Sequence, residues 1–229
     1  MAIIKKYKSV VAKIENPFQD LFIVSFKSYD KQYRYLPGQF LHLALDEYDP
    51  SSQWPESRCF SMQSDEKDDC ITITFAAKGS FTNRMAKELT IGKDLWLKLP
   101  YGELFSKSHN RDNTVFIAGG TGVTPFLSLF ASERFSEYIN PSLYLGIRES
   151  KYNLYDASIG KARAINGSFT STIVNQQNEG ILDIGKIFGK HGKDATYFIS
   201  GPPVMIKSFK AYLTQNGVSG DNVRTDDWE

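Results

Sequence analysis

The stretch Val115-Phe116-Ile117-Ala118-Gly119-Gly120-Thr121-Gly122-Val123-Thr124-Pro125 constrains the fold of this 229-residue chain more than any other, because an unbroken apolar run passes directly into glycines and a proline. A short apolar run ending in glycine reads as a buried strand. Pro125 suits the first turn of a helix, where a missing N–H costs nothing, and Thr124 is the expected side-chain cap. The glycines let the backbone turn sharply and approach a ligand, and the helix amides then face an anion such as a phosphate. A second turn of the same kind is Tyr197-Phe198-Ile199-Ser200-Gly201-Pro202-Pro203. In an open parallel sheet ligands bind at the carboxyl ends of strands, so both turns are expected to line one crevice.

From Thr114 onward the pattern alternates. Strands are expected over 115–118, 143–147, 170–174 and 197–200, with helical segments between most of them and a helix over 204–215 closed by Asn216-Gly217. Such alternation implies a Rossmann-like parallel sheet with flanking helices. Before it, residues 1–106 read as short strands over 10–15, 21–26, 39–45, 58–62, 71–75 and 94–99, with one helix near 81–89 and Ser80 as its cap. Six strands in about a hundred residues predict a small six-stranded antiparallel β-barrel. The polar stretch from Ser106 to Asn113 is the best linker, so the expected domains are 1–106 and 112–229.

Composition removes several function classes. The net charge is +1, with 27 Lys and Arg against 26 Asp and Glu, which argues against a nucleic-acid partner. Lys5, Lys6 and Lys8 make only a short basic cluster, expected to be a solvated strand face. Two cysteines, Cys59 and Cys70, lack the spacing that holds zinc or an iron–sulfur cluster, and His42, His109 and His191 lie far apart, so no metal is expected. There is no apolar run of about eighteen residues and no cleavable leader, so no membrane span is expected and the cytoplasm is the default compartment.

The glycine turns do not match a generic dinucleotide fingerprint, because Pro125 stands where a third glycine would be and no acid follows about twenty residues on. The order of motifs along the whole chain does find a match: Arg58-Cys59-Phe60-Ser61, then Gly79-Ser80-Phe81-Thr82, then Gly119-Gly120-Thr121-Gly122-Val123-Thr124-Pro125, then Gly201-Pro202-Pro203, with an aromatic residue, Trp228, near the C-terminus. This order resembles the ferredoxin–NADP reductase superfamily of flavin-dependent pyridine-nucleotide oxidoreductases.

The resemblance implies a barrel that binds a flavin, usually FAD with FMN as the alternative, and a second domain that binds NADH or NADPH. Arg58 would hold the flavin phosphate through its planar, permanently charged fork. Phe60 replaces the family's usual tyrosine, keeping the ring that packs on the isoalloxazine without its hydroxyl. Ser61 matches the serine beside flavin N5. Gly79, Ser80 and Thr82 would take the flavin pyrophosphate at a helix N-terminus, with Cys59 and Lys78 counted among the same contacts. Gly119, Gly120, Thr121, Gly122, Thr124 and Pro125 would hold the pyridine-nucleotide pyrophosphate, with Gly201 and Pro202 beside the nicotinamide. Ser200 stands where relatives often carry cysteine, and Trp228 resembles the aromatic that covers the flavin and yields to nicotinamide. Ser61, Ser200 and Trp228 are thus assigned to the reaction itself.

Relatives that use NADPH often place a Ser-Arg pair after the third Rossmann strand, where this chain has Asn175-Gln176-Gln177. The missing arginine favours NADH, while Arg148 and Lys151 after the second strand supply charge for a 2′-phosphate. The resemblance further implies an electron acceptor, either a protein (flavodoxin, ferredoxin or an oxygenase component) or a small molecule. Two alternatives stay open: a non-catalytic flavin- or nucleotide-binding module, and an electron-transfer subunit of a larger complex.

Overall fold

The computed structural model describes residues 3–226 of the chain, which divides after Glu103 into two compact units. The first contains β1 (Lys5–Phe18), β2 (Leu21–Ser28), β3 (Phe40–Ala44), β4 (Ser57–Ser61), β5 (Cys70–Ala76), α1 (Ser80–Glu88) and β6 (Asp94–Tyr101). Its strands pair antiparallel in the order β4-β3-β6-β1-β2-β5.

The expected six-stranded barrel is present and nearly closed. No ladder joins the end strands β4 and β5, but the chain just past β4 reaches across: the Gln63 amide donates to the Thr72 carbonyl at 2.9 Å, and the Thr72 amide donates to Ser64 Oγ at 2.9 Å. Period-two alternation builds the interior. In β5, Ile71, Ile73 and Phe75 are buried while Thr72 and Thr74 face outward, and Leu41, Leu43, Leu95, Leu97 and Leu99 complete the same core with Phe81 and Met85 from α1. β1 is longer than the sequence suggests, because two irregularities let it follow the curve past both its neighbours. Lys5 and Lys6 are exposed as expected, with Lys6 donating to the Tyr48 hydroxyl and Lys8 lying 3.5 Å from Glu47 and 3.6 Å from Asp94.

The second unit contains β7 (Thr114–Gly119), a 3-10 turn Gly120–Val123, α2 (Thr124–Ala131), β8 (Ser142–Ile147), α3 (Asp156–Ile165), β9 (Thr170–Asn175), α4 (Gln176–Glu179), α5 (Ile184–His191), β10 (Thr196–Ser200), α6 (Pro203–Gln215) and β11 (Val223–Thr225). The strands form one parallel sheet in the order β11-β10-β7-β8-β9. Both faces of β7 are buried, which explains its unbroken apolar run. Phe116 and Ala118 pack with residues of α2 and α3, whereas Val115 and Ile117 pack with residues of α5 and α6.

Two expected caps are corrected. Ser80 is the first residue of α1, and Gly79, whose amide is held by the Thr82 hydroxyl one turn on, is its cap residue. Thr124 is likewise inside its helix and buried, since the 3-10 turn over Gly120–Val123 already bends the chain into the helix and leaves Val123 as the cap residue. β11 escaped the sequence reading because three residues carry no periodicity. The polar stretch after Ser106 is tied to the second unit, where Arg224 donates to the carbonyls of Lys107 at 3.2 Å and Ser108 at 2.6 Å.

Candidate functional site

In the first unit the four motif residues Arg58 to Ser61 lie on β4 and are divided by strand alternation. Arg58 and Phe60 project to one side; Cys59 and Ser61 project to the other, opposite His42 and Phe40 of β3. The Arg58 guanidinium lies over the Phe81 ring, 5.1 Å from its centroid, and donates to the Ser57 carbonyl at 2.8 Å and to Glu56 Oε1 at 3.0 Å. Because Phe81 is the second residue of α1, this cation sits at the first turn of that helix. Phe60 is half-buried and meets Phe75 edge-on at 6.2 Å.

The turn into α1 is built by Thr82. Its Oγ1 accepts from the amides of Lys78 at 3.1 Å and Gly79 at 3.0 Å, and the hydroxyl donates to the Gly79 carbonyl at 3.2 Å. The amides that follow, of Ser80 and Phe81, have no acceptor inside the helix, and the first turn carries no acidic residue. Lys78, Gly79 and Ser80 are exposed, and a Cβ on Gly79 would meet nothing nearer than Thr82 Oγ1 at 4.0 Å. An open helix N-terminus beside a guanidinium is a fitting receptor for a phosphate.

The other side of β4 has different chemistry. Cys59 Sγ lies 3.5 Å from His42 Nε2, and burial pushes the thiol's pKa up, so it stays protonated at neutral pH. Burial, then the Lys98 charge, lowers the pKa of His42. The Cys59 side chain, like that of Ser61, therefore turns to the side of β4 opposite Arg58. Gln63, two residues past Ser61, was not singled out from the sequence; its Oε1 accepts from Thr74 Oγ1 at 3.2 Å, while its buried Nε2 has no partner among the described residues.

In the second unit the two glycine turns meet, as their places at strand ends predict. Strand order reverses between β7 and β10, so the chain leaves these neighbouring strands in opposite directions and opens a crevice at their carboxyl ends. The turns are in direct backbone contact: a Cβ on Gly122 would lie 2.5 Å from the Ser200 carbonyl oxygen and 2.6 Å from Gly201 Cα. Gly201 has φ +148 and would place a Cβ 2.9 Å from the Gly119 amide nitrogen. Gly120 has φ +56 with nothing within 4 Å of its added Cβ, so the tip of the first turn faces open space.

Ser200 is buried at this junction, and its Oγ donates to Asp226 Oδ2 at 3.3 Å. Asp226 was missed, because it lies just past the three-residue strand that carries it there. Thr121 is exposed beside the crevice, whereas Thr124 is buried and Pro125 occupies the first turn of α2. Arg148 is exposed just past β8. Trp228 lies outside the described residues.

Among the described residues no group of three His, Cys, Asp or Glu is gathered in one place, and no helix is long and apolar enough to cross a membrane.

A family model described as an FAD-binding domain matches residues 4–125. The reductase component of the naphthalene 1,2-dioxygenase system of Pseudomonas putida, a ferredoxin–NAD(P)(+) reductase, is 25% identical over 231 aligned positions that cover 96% of this chain and 68% of that protein. Two further curated relatives are matched over only 27% and 34% of their own lengths, so they contain substantial segments beyond the matched region. Among solved structures, an Amycolatopsis cytochrome P450 reductase superposes with a TM-score of 0.83 at 16% identity, over 99% of this chain and 71% of that one. A ferredoxin–NADP+ reductase from Neisseria gonorrhoeae, with FAD and NADP bound, superposes with a TM-score of 0.77 at 16% identity, over 95% and 93% of the two chains. At such identities the superpositions establish a shared fold.

Proposed function

The chain belongs to the FAD-binding domain family of the ferredoxin–NADP reductase superfamily, and we propose that it is the reductase of an electron-transfer system, taking hydride from NAD(P)H and passing electrons to a protein acceptor such as an oxygenase component. It is an FAD-dependent NAD(P)H oxidoreductase. The observation that carries the assignment of the nucleotide is the backbone contact between Gly122 and Ser200-Gly201 at the point where strand order reverses. The two turns together would offer backbone amides to a pyrophosphate at the carboxyl ends of the strands and bring Ser200-Gly201 beside a nicotinamide.

The residues present fit FAD. Arg58 and the free amides of Ser80 and Phe81 would hold its pyrophosphate, with Lys78, Gly79 and Thr82 shaping the turn. Phe60 would support the isoalloxazine, and Ser61 would offer it a hydroxyl. The orphaned Gln63 amide nitrogen two residues on is a further buried donor that a polar ligand would satisfy. When bound, FAD takes up a hydride equivalent and releases electrons singly or in pairs.

The chain's own part is binding and alignment. Gly119, Gly120, Thr121 and Gly122 would hold the nucleotide pyrophosphate, and Gly201 and Pro202 would bound the nicotinamide. Ser200 donates to Asp226, and the carboxylate behind it would favour the positive charge that grows on a dihydronicotinamide ring as hydride leaves. Trp228 is proposed to cover the flavin and give way to the nicotinamide. This reading implies the cytoplasm, consistent with the two free cysteines.

The test is an anaerobic absorbance spectrum of the purified protein before and after NADH, then NADPH, with the released flavin identified. Bleaching of the flavin band by either nucleotide supports the reductase. A colourless protein that also fails to take up added FAD overturns it in favour of a non-catalytic module.

A further inference from the structure

Gly119 of β7 pairs in register with Gly146 of β8, and Ile147 of β8 pairs with Asn175 of β9, so the carboxyl ends of the three strands lie nearly level. Asn175 is thus about 10 Å from Gly119, two strand spacings across the sheet. If the pyrophosphate of a dinucleotide lies at Gly119–Gly122 and its nicotinamide points to the β7–β10 crevice, its adenosine extends the other way, over the ends of β8 and β9.

Those ends are stitched together. The buried Asn175 donates from Nδ2 to Ser150 Oγ at 2.8 Å and accepts at Oδ1 from the Gln177 amide at 3.1 Å, and that amide also reaches the Arg148 carbonyl at 3.3 Å. Two carboxylates are folded into the same place. Glu149 holds Lys151 at 2.7 Å, which offsets that cation, and Glu179 Oε1 accepts from the Asn175 amide at 3.1 Å. No cation is described beside Glu179. Of the two positive groups assigned to a 2′-phosphate, Lys151 is already paired and Arg148 is exposed past β8, while the Glu179 carboxylate at the end of β9 has no cation partner among the described residues.

We propose that Glu179 sets the nucleotide preference of this site, excluding the 2′-phosphate of NADPH by charge and accepting from the ribose hydroxyls of NADH. The inference rests on the nucleotide site assigned above. A carboxylate repels a phosphate for which only the exposed Arg148 is left as a counter-charge, whereas it pairs readily with a hydroxyl. Glu149 supports the preference by withholding Lys151.

Glu179→Gln keeps an acceptor for the Asn175 amide while removing the charge, so the turn is expected to fold unchanged by circular dichroism. Calorimetric titration with adenosine 2′,5′-bisphosphate and with 5′-AMP measures the effect without any need for flavin. Wild type is expected to favour 5′-AMP. In Glu179→Gln, affinity for the bisphosphate should rise about tenfold, as expected from loss of one carboxylate–phosphate repulsion, with 5′-AMP changed little. Glu149→Gln, which frees Lys151, should shift the ratio the same way. An unchanged ratio in Glu179→Gln, or a wild type that prefers the bisphosphate, overturns the inference. A wild type that binds neither adenosine ligand nor NADH instead overturns the nucleotide site itself.

Discussion

Ser200 donates its hydroxyl proton to the Asp226 carboxylate at 3.3 Å, joining the carboxyl end of β10 to the residue that follows β11. The Asp226 amide in turn donates to the Ile199 carbonyl at 3.0 Å, so the backbone pairing of two adjacent parallel strands holds the carboxylate in place. A serine in place of the thiol found in many relatives is therefore supported by a specific partner.

Ser200→Ala should slow hydride transfer from saturating NADH about tenfold, the loss expected for one hydrogen bond to a charged group, with flavin content unchanged. Rapid-mixing absorbance measures it. A rate equal to wild type would remove Ser200 from the reaction.

The contact between the glycine turns makes Gly122→Ala costly. Its methyl would lie 2.5 Å from the Ser200 carbonyl oxygen and 2.6 Å from Gly201 Cα, both backbone atoms, so a loop must move. A loss of about 2 kcal/mol is expected, together with weaker nucleotide binding. Gly189→Ala is the contrast: Gly189 lies inside α5 with nothing within 4 Å of the added methyl, and should stabilise by up to about 1 kcal/mol. Urea midpoints of the two variants should move in opposite directions.

Arg58→Ala should weaken FAD binding by about 10- to 100-fold, the range for losing a charge-assisted hydrogen bond. Because Arg58 is exposed, thermal stability of the apoprotein should barely change. Thr82→Val strands the amides of Lys78 and Gly79, and should cost about 1 kcal/mol in addition to lowering flavin retention. Flavin retained after dialysis ranks the variants; full occupancy in Arg58→Ala would place the phosphate elsewhere.

Acid should destabilise this protein through its histidines. Burial is the largest cause of a lowered pKa at His42, His109 and His191, with Lys98, Arg224 and Arg111, and Lys190 adding respectively. Each binds a proton less readily folded than unfolded, so its contribution is fully present above the unfolded pKa of about 6.5 and is lost as pH falls through that value toward the folded one. His191 accepts or donates at the Tyr144 hydroxyl at 2.8 Å and lies 3.3 Å from Asn113 Oδ1, partners that do not call for a charged ring. The urea midpoint should fall between about pH 7 and pH 5, and His191→Gln should flatten part of that slope. A midpoint that rises on acidification would contradict the sign.

Much of the architecture was legible in the sequence because it rests on local signals. The period-two pattern around Ile71, Ile73 and Phe75 and the unbroken run from Val115 to Ala118 distinguish a one-sided barrel strand from a strand buried on both faces. The glycine turns announced themselves by composition. Caps were less legible: whether Ser80 or Gly79 begins α1 depends on Thr82 turning its hydroxyl back onto the amides, and whether Thr124 caps depends on how the preceding turn winds.

The sequence by itself determined the order of the longer strands and helices, the places where the backbone needs glycine, and the residue types offered to a flavin and a nucleotide, since these follow from periodicity and side-chain chemistry along neighbouring positions. Only the tertiary structure decided which of those residues meet. Arg58 came to Phe81, Gly122 to Gly201, Ser200 to Asp226 and Glu179 to Asn175. The barrel contact and the two across β7, β10 and β11 depend on strand order and register, set by packing of distant apolar faces. The Glu179 contact is short in sequence, yet its meaning depends on β8 and β9 lying beside β7, which no stretch of the chain carries alone.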